Sequence, residues 1–216
     1  MSDLLRAVDP ILVEGWLRAR SLARGLPQPV LDHGGLRVDT HCPTELRRYV
    51  FARPLQGLRE LALSISEPDV FIKLCGTEEE MRALLPDRWR IRSTSCMMIG
   101  PAHPDRSGPL PLGYQLQVDT AGATTAARIV DEMGRTAARG FAAELGDVFV
   151  YDRIFTERDH RRKGLGRTIM AALSSARTSA RLTDILVATA DGRALYTALG
   201  WRVYSPYSSA DIPSDA

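Results

Sequence analysis

Apolar residues recur at helical spacing after Asp9-Pro10. Ile11, Leu12, Trp16, Ala19, Leu22 and Ala23 share one face, and Gly25 with Pro27 stops the run. A Gly- and Pro-containing loop then leads to a short strand at Arg48–Phe51. Pro54 opens a second helix on Leu58, Leu61, Ala62 and Ile65. Val70–Leu74 predicts a strand, and Thr77-Glu-Glu-Glu80 a capping box for a helix that ends before Pro86. Arg88–Ile99 returns as a strand. A Pro- and Gly-rich segment, Gly100–Gly113, is the best boundary between halves.

Beyond it the period changes. Tyr114–Asp119, Thr124–Val130 and Arg135–Ala142 alternate as antiparallel strands joined by tight turns. Val148–Phe155 and Asp184–Ala188 lack polar alternation, as strands covered on both faces do. Helices at Gly166–Ala180 and Arg193–Leu199 intervene, and Trp201–Tyr204 closes the chain. The expected class is α/β (α+β): a mixed, mostly antiparallel sheet with a central parallel pair and flanking helices. The expected division is 1–105, an α/β region, and 106–216. Arg82-Ala-Leu-Leu before Trp89-Arg-Ile echoes Arg193-Ala-Leu-Tyr before Trp201-Arg-Val. Chance and duplication both account for so short an echo.

Composition narrows the function. Twenty-eight basic and 26 acidic residues leave a net charge of +2, which argues against a nucleic-acid coat and gives no reason to expect a membrane partner. Cys42, Cys75 and Cys96 form no CxxC and point to a reducing compartment, so a cytoplasmic location is expected. His33, Asp39, His41 and Cys42 match no familiar zinc spacing, and no metal is expected. Lys73 reads as an edge-strand charge, and His103 sits in the Pro-rich loop.

The informative segment is Thr156-Glu-Arg-Asp-His-Arg-Arg-Lys-Gly-Leu-Gly166, between a buried strand and a helix. Its glycines leave backbone amides open at a helix start, and Arg161, Arg162, Lys163 and Arg167 surround them with charge. That combination suits a pyrophosphate. Residues 157–167 carry five basic and two acidic side chains, so the near-neutral total conceals a local excess of +3. The GxxxxGK[ST] pattern is absent, and Ile169 stands where GxGxxG needs its third glycine.

What remains, Arg161-x-x-Gly164-x-Gly166 between strand and helix, resembles the GNAT superfamily of acyl-CoA-dependent N-acyltransferases. Ala194-Leu-Tyr196-Thr-Ala-Leu-Gly200-Trp201 is similar to that family's helix-to-strand signature. The resemblance spans about residues 112–206, and the N-terminal half carries no matching motif. It implies a GNAT-like fold and acetyl-CoA, or another acyl-CoA, as co-substrate. It further implies that Ile154, Phe155 and Thr156 meet pantetheine, and that Arg161, Arg162, Lys163, Gly164, Leu165, Gly166 and Arg167 hold the pyrophosphate. Tyr196 would be the acid that protonates the leaving thiolate. The implied activity is N-acetyl transfer to the primary amine of a small molecule by direct attack. An amine on a protein or RNA terminus, or a regulatory acyl-CoA-binding protein without catalysis, are the alternatives. A homodimer is compatible with the sequence.

Many relatives carry a Glu where Val150 stands, so Asp152, on the same strand face, is the first candidate for the base, ahead of Glu144 and Asp147. Pairing of Asp152 with Arg153 or Arg135 is the competing role. Thr189 replaces the family's usual Asn. Family members place two helices between their first two strands, yet Tyr114–Asp119 turns directly into Thr124. The acceptor wall is therefore expected from the N-terminal half, a degenerate GNAT-like copy in one reading.

Overall fold

The computed structural model describes residues 8–92, 94–102 and 110–213. The domain boundary expected at 105/106 and His103 lie outside these. The first half runs α1 (Pro10–Ala23), β1 (Val30–Asp32), β2 (Gly35–Cys42), β3 (Glu45–Phe51), α2 (Gln56–Ser64), β4 (Val70–Leu74), α3 (Glu78–Arg82), β5 (Arg90–Ile91) and β6 (Ser95–Ile99). The second runs β7 (Tyr114–Ala121), β8 (Thr124–Asp131), β9 (Thr136–Leu145), β10 (Val148–Thr156), a 3-10 turn (Arg158–His160), α4 (Leu165–Ser174), β11 (Thr183–Ala188), α5 (Ala190–Ala198) and β12 (Arg202–Asp211). Caps follow the residues that signal them: Asp9 accepts from Ile11 N, and the Thr77/Glu80 capping box is complete.

All strands join one mixed sheet, ordered β1-β2-β3-β4-β12-β6-β11-β10-β9-β8-β7, with β5 beside β12. Two pairs are parallel, β3–β4 and β10–β11, each bridged by a helix. Alternate residues divide the core between the faces. Val50, Val148 and Val150 pack with Val13, Trp16 and Leu17 of α1 on one face. Tyr49 and Phe51 meet α2 and α3, and Phe149 and Tyr151 meet α4 and α5, on the other. Ile11, expected on the apolar face of α1, is 79% exposed.

The halves exchange their last strands. β6 inserts between β11 and β12, and β12 inserts between β4 and β6. Arg202 pairs with Ile99 and Val203 with Met98; at the other end Arg90 pairs with Asp211 and Ile91 with Ala210. Laying Arg90 on Arg202 and Ile99 on Asp211 converts one set of pairs into the other. The same superposition carries Thr77, which caps α3, onto Thr189, which caps α5, and Trp89 onto Trp201. The short sequence echo therefore marks a repeated arrangement.

Several expectations need correction. Residues 30–42 form a hairpin rather than a loop. Arg37 pairs with Asp32 across β1–β2 and Arg47 with Asp39 across β2–β3, while Arg37 also reaches Asp39 on its own strand, so charges that read as loop hold strands together. The strand expected over 88–99 is interrupted, and the helix expected to reach Ala180 ends at Ser174. Lys73 lies on an interior strand with its side chain largely buried, bonding Ser209 Oγ at 3.2 Å.

Gly140 on β9 fixes how closely α4 approaches the sheet. A Cβ there would lie 2.5 Å from Ile154 Cδ1 and 2.6 Å from Ile169 Cγ2. Gly140→Ala is expected to cost about 1–3 kcal/mol by overpacking, measurable by urea unfolding, and to loosen the junction of α4 with β10.

Candidate functional site

β10 and β11 hydrogen-bond in parallel only from Val148↔Thr183 to Val150↔Ile185. Beyond that β11 stays with β6 through Ala188↔Cys96, while β10 stays with β9. The two strands therefore part into a V. Their counterparts β3 and β4 remain paired from Arg47↔Val70 to Phe51↔Leu74 and leave no such opening. At the mouth of the V, β10 carries an irregularity between Asp152 and Phe155, where Arg153 holds φ 52°. A bulge of this kind frees backbone groups from the ladder and re-aims them. Ile154 and Thr156 are half-buried, and Phe155 is exposed beneath the Arg139 guanidinium, 5.2 Å away.

The closed end of the V is held by a buried ion pair. Arg177 approaches Asp184 at 3.2 Å, both side chains being 2% exposed, and the Tyr151 hydroxyl donates to Asp184 at 3.3 Å. Burial, with the charge of Asp184, pushes the Tyr151 phenol above its ordinary range.

Above the V lies the turn 157–166. Arg162 takes φ 63°, and Gly164, at φ 81°, is the N-cap of α4 with no side chain bonded to the helix start. Only a residue without Cβ reaches that geometry cheaply, and Gly164 brings no side chain to cap the helix start. The turn is tied down from one side. Lys163 Nζ donates to the Tyr114 hydroxyl at 3.1 Å, and that hydroxyl lies 2.8 Å from His160 Nδ1. Arg161 Nε bonds the Thr156 carbonyl at 3.3 Å. The sequence motif thus becomes a cationic turn that leads into the uncapped start of α4. Its uncapped helix start and charge suit a pyrophosphate, and the slot beneath suits an extended chain bearing amides.

A cavity of about 240 Å³ opens at the V. Trp16, Arg20 and Arg24 of the first half line it together with Tyr151, Asp152, Arg153, Ile154, Leu186, Val187, Ala188, Thr189, Gly192 and Tyr196. Tyr196, from α5, is 7% exposed, and burial, then the charge of Asp152, pushes its phenol up to about 12. The hydroxyl keeps its proton at neutral pH and is able to donate it. Thr189 Oγ1 accepts from Gly192 N at 3.3 Å and caps α5.

Asp152 and Tyr196 are thus brought together, as the sequence suggested. Asp152 is nevertheless bound by three guanidiniums. Arg24 grips it through both oxygens at 2.6 and 2.9 Å, Arg153 approaches at 3.2 Å and Arg20 at 3.5 Å. Burial raises its pKa, but the Arg24 hydrogen bonds and the charges of Arg20, Arg24 and Arg153 outweigh that and lower it. A carboxylate so stabilised is a weak base. Of the two roles weighed for it, pairing is the one the geometry displays, with Arg24 and Arg153; Arg135 pairs instead with Asp131. Glu144 binds Thr178 N at 3.0 Å, and neither it nor Asp147 lines the cavity. Val150 is fully buried under α1.

Sequence reasoning missed Trp16, Arg20 and Arg24. They recur every four residues along α1, but an arginine at helical spacing beside an apolar stripe looks like any solvated helix edge. Among the described residues no group of three or more His, Cys, Asp or Glu side chains is arranged to hold a metal, and no helix is long and apolar enough to cross a membrane.

Residues 123–203 match the family model described as an acetyltransferase (GNAT) domain. No curated protein matches the sequence. Among solved structures, a GCN5-related N-acetyltransferase from Kribbella flavida shares 14% identity at a TM-score of 0.65, covering 96% of each chain. A GCN5-related N-acetyltransferase-like protein from Streptococcus suis shares 12% at a TM-score of 0.56, covering 82% of this chain and 83% of its own. At such identities the likeness is one of fold, and it extends across both halves.

Proposed function

We propose that the protein, whose residues 123–203 match the GNAT acetyltransferase domain model, moves an acetyl or other acyl group from acyl-CoA to the primary amine of a small molecule by direct attack. The observation that carries this reading is the combination of three features: the uncapped helix start at Gly164, the V between β10 and β11, and the cavity with Tyr196. Amides of residues 162–167, with Arg161 and Lys163, hold the pyrophosphate. Backbone groups of Ile154, Phe155 and Thr156 pair with pantetheine, which delivers the thioester to Tyr196.

The amine nitrogen attacks the thioester carbon, the new C–N bond forms and the C–S bond breaks. Tyr196 gives its proton to the departing thiolate. A backbone amide freed at the β10 bulge is suited to the developing oxyanion. The base is reassigned from Asp152: the ammonium proton leaves to solvent through the cavity mouth, and Asp152 acts by its charge. The N-terminal half, read as a copy without the slot, supplies α1 as the acceptor wall in place of the helices missing between β7 and β8.

Acetyl-CoA binding by calorimetry and thiol release against an amine panel test the proposal. Gly164→Ala is expected to weaken acetyl-CoA binding about 10-fold, because a left-handed residue with a Cβ costs about 1–2 kcal/mol at the cradle. Tight binding without turnover of any amine would favour the regulatory reading, which the absence of an unencumbered carboxylate base in the cavity recommends as second choice.

A further inference from the structure

The charge around the cavity does not balance, and the imbalance lies on its acceptor side. Arg20, Arg24 and Arg153 converge on a single carboxylate, Asp152. Each has a different standing there. Arg24 makes the two-pronged bond, and Arg153 donates to the Ala23 carbonyl at 2.6 Å while stacking over the Phe141 ring at 4.0 Å. Arg20 makes no side-chain hydrogen bond among the described residues; it approaches Asp152 at 3.5 Å and lies 5.6 Å from the Trp16 ring. Its guanidinium carries five N–H donors, and its half-buried side chain, 17% exposed, lines the cavity. Next to this group Lys73 and Arg48 share Glu45, at 3.6 and 2.7 Å. Two buried donors of Arg48 lack a hydrogen-bond partner among the described residues. Five cations thus meet two carboxylates where the halves join.

Anchoring α1 to β10 requires only the Arg24–Asp152 bond. Holding two further, half-buried guanidiniums against the same carboxylate adds like-charge repulsion that an additional anion would relieve. Acyl-CoA does not bring one, because the thioester end that reaches Tyr196 is uncharged and the phosphates lie at the far end of the V.

We infer that the acceptor is an amine that also bears an oxyanion, a carboxylate or a phosphate, bound by Arg20 and Arg24 while its ammonium faces Asp152. This rests on the acyltransfer reading above. The geometry is that of an inserted zwitterion. The acceptor's anion takes up the donors that Asp152 cannot satisfy, and its ammonium takes a share of the carboxylate. The amino group is thereby held on the Tyr196 side of the cavity. The volume of about 240 Å³, shared with the thioester end, restricts the acceptor to a compact molecule.

The test uses matched pairs with and without the anion on the full chain saturated with acetyl-CoA. The pairs are alanine against ethylamine, phenylalanine against phenethylamine, and O-phosphoethanolamine against ethanolamine. Thiol release gives kcat and KM, and calorimetry gives binding independently of turnover. At least one anionic member is expected to exceed its partner about 10-fold or more in kcat/KM, and the pair that shows the gap tells carboxylate from phosphate. Arg20→Gln, which keeps the side chain's bulk, is expected to close that gap through KM while leaving acetyl-CoA affinity unchanged. Anionic compounds that bind but are not acetylated would uphold the inference while sinking the catalytic reading. Equal or better use of the uncharged-tail amines overturns it, as does failure of every anionic member to bind. Because the paired comparison is made on the native protein, it stands even if Arg20→Gln fails to fold.

Discussion

Tyr196→Phe is expected to lower kcat for acyl transfer by roughly 100-fold to 10,000-fold, the usual range for losing a positioned acid, while acetyl-CoA affinity changes little. The ring packs between Trp201, at a centroid distance of 6.0 Å, and Gly192, so phenylalanine preserves the fit and removes only the proton. The pH profile sharpens the expectation. With the phenol at about 12, the acid stays protonated to well above pH 10. The rate of the native enzyme should therefore climb with pH through 7–10 as the acceptor amine loses its proton, with no fall on the alkaline side in that range. Thiol-release kinetics on the two proteins check both points. A variant with unchanged kcat would remove Tyr196 from the chemistry, and an early alkaline fall would contradict the raised pKa.

The largest stability effect should come from Arg177→Ala. It strips Asp184 of its charge partner at a site where both side chains are 2% exposed. Breaking a buried pair from one side costs about 3–5 kcal/mol, because the remaining carboxylate stays buried without its guanidinium. The Tyr151 hydroxyl and the burial of Asp184 remain, so the loss should appear as a lower midpoint in urea unfolding. Arg177→Met with Asp184→Leu, which removes both charges, should recover much of it. The location makes the pair more than a rivet. Asp184 sits opposite Phe149, in the short stretch where β10 and β11 still hydrogen-bond, so the variant should also loosen the closed end of the V. A decrease below about 1 kcal/mol would mean that water already reaches this pair.

Legibility along the chain follows the range of the interactions involved. The Thr77–Glu80 box, the Gly164 N-cap and the β7–β8 turn depend on neighbours a few residues apart, and the residue types announce them. The hairpin at 30–42 was hidden because Arg37 bonds Asp32 and Arg47 bonds Asp39 across strands. β12 was hidden for a related reason. Tyr204 through Asp211, with Pro206 and three serines, has the composition of a loop tail. It becomes an interior strand because β4, β5 and β6 supply its partners, and because Ser205, Ser208 and Asp211 are buried between the halves. Asp152 was found without its meaning, since Arg24, its strongest partner, is 128 residues away.

The sequence by itself determined the local chemistry: a helix start stripped of side chains and ringed with charge, a phenol on the following helix, and two apolar strands to carry them. Spacing suffices for those features because their atoms are bonded close together. Tertiary structure alone decided the wall of the cavity and the sign of its field. It laid α1 across β10, brought Arg20 and Arg24 onto Asp152, and exchanged β6 and β12 so that each half completes the other. Packing of the Trp16 face against the sheet holds those charges together beside the cavity.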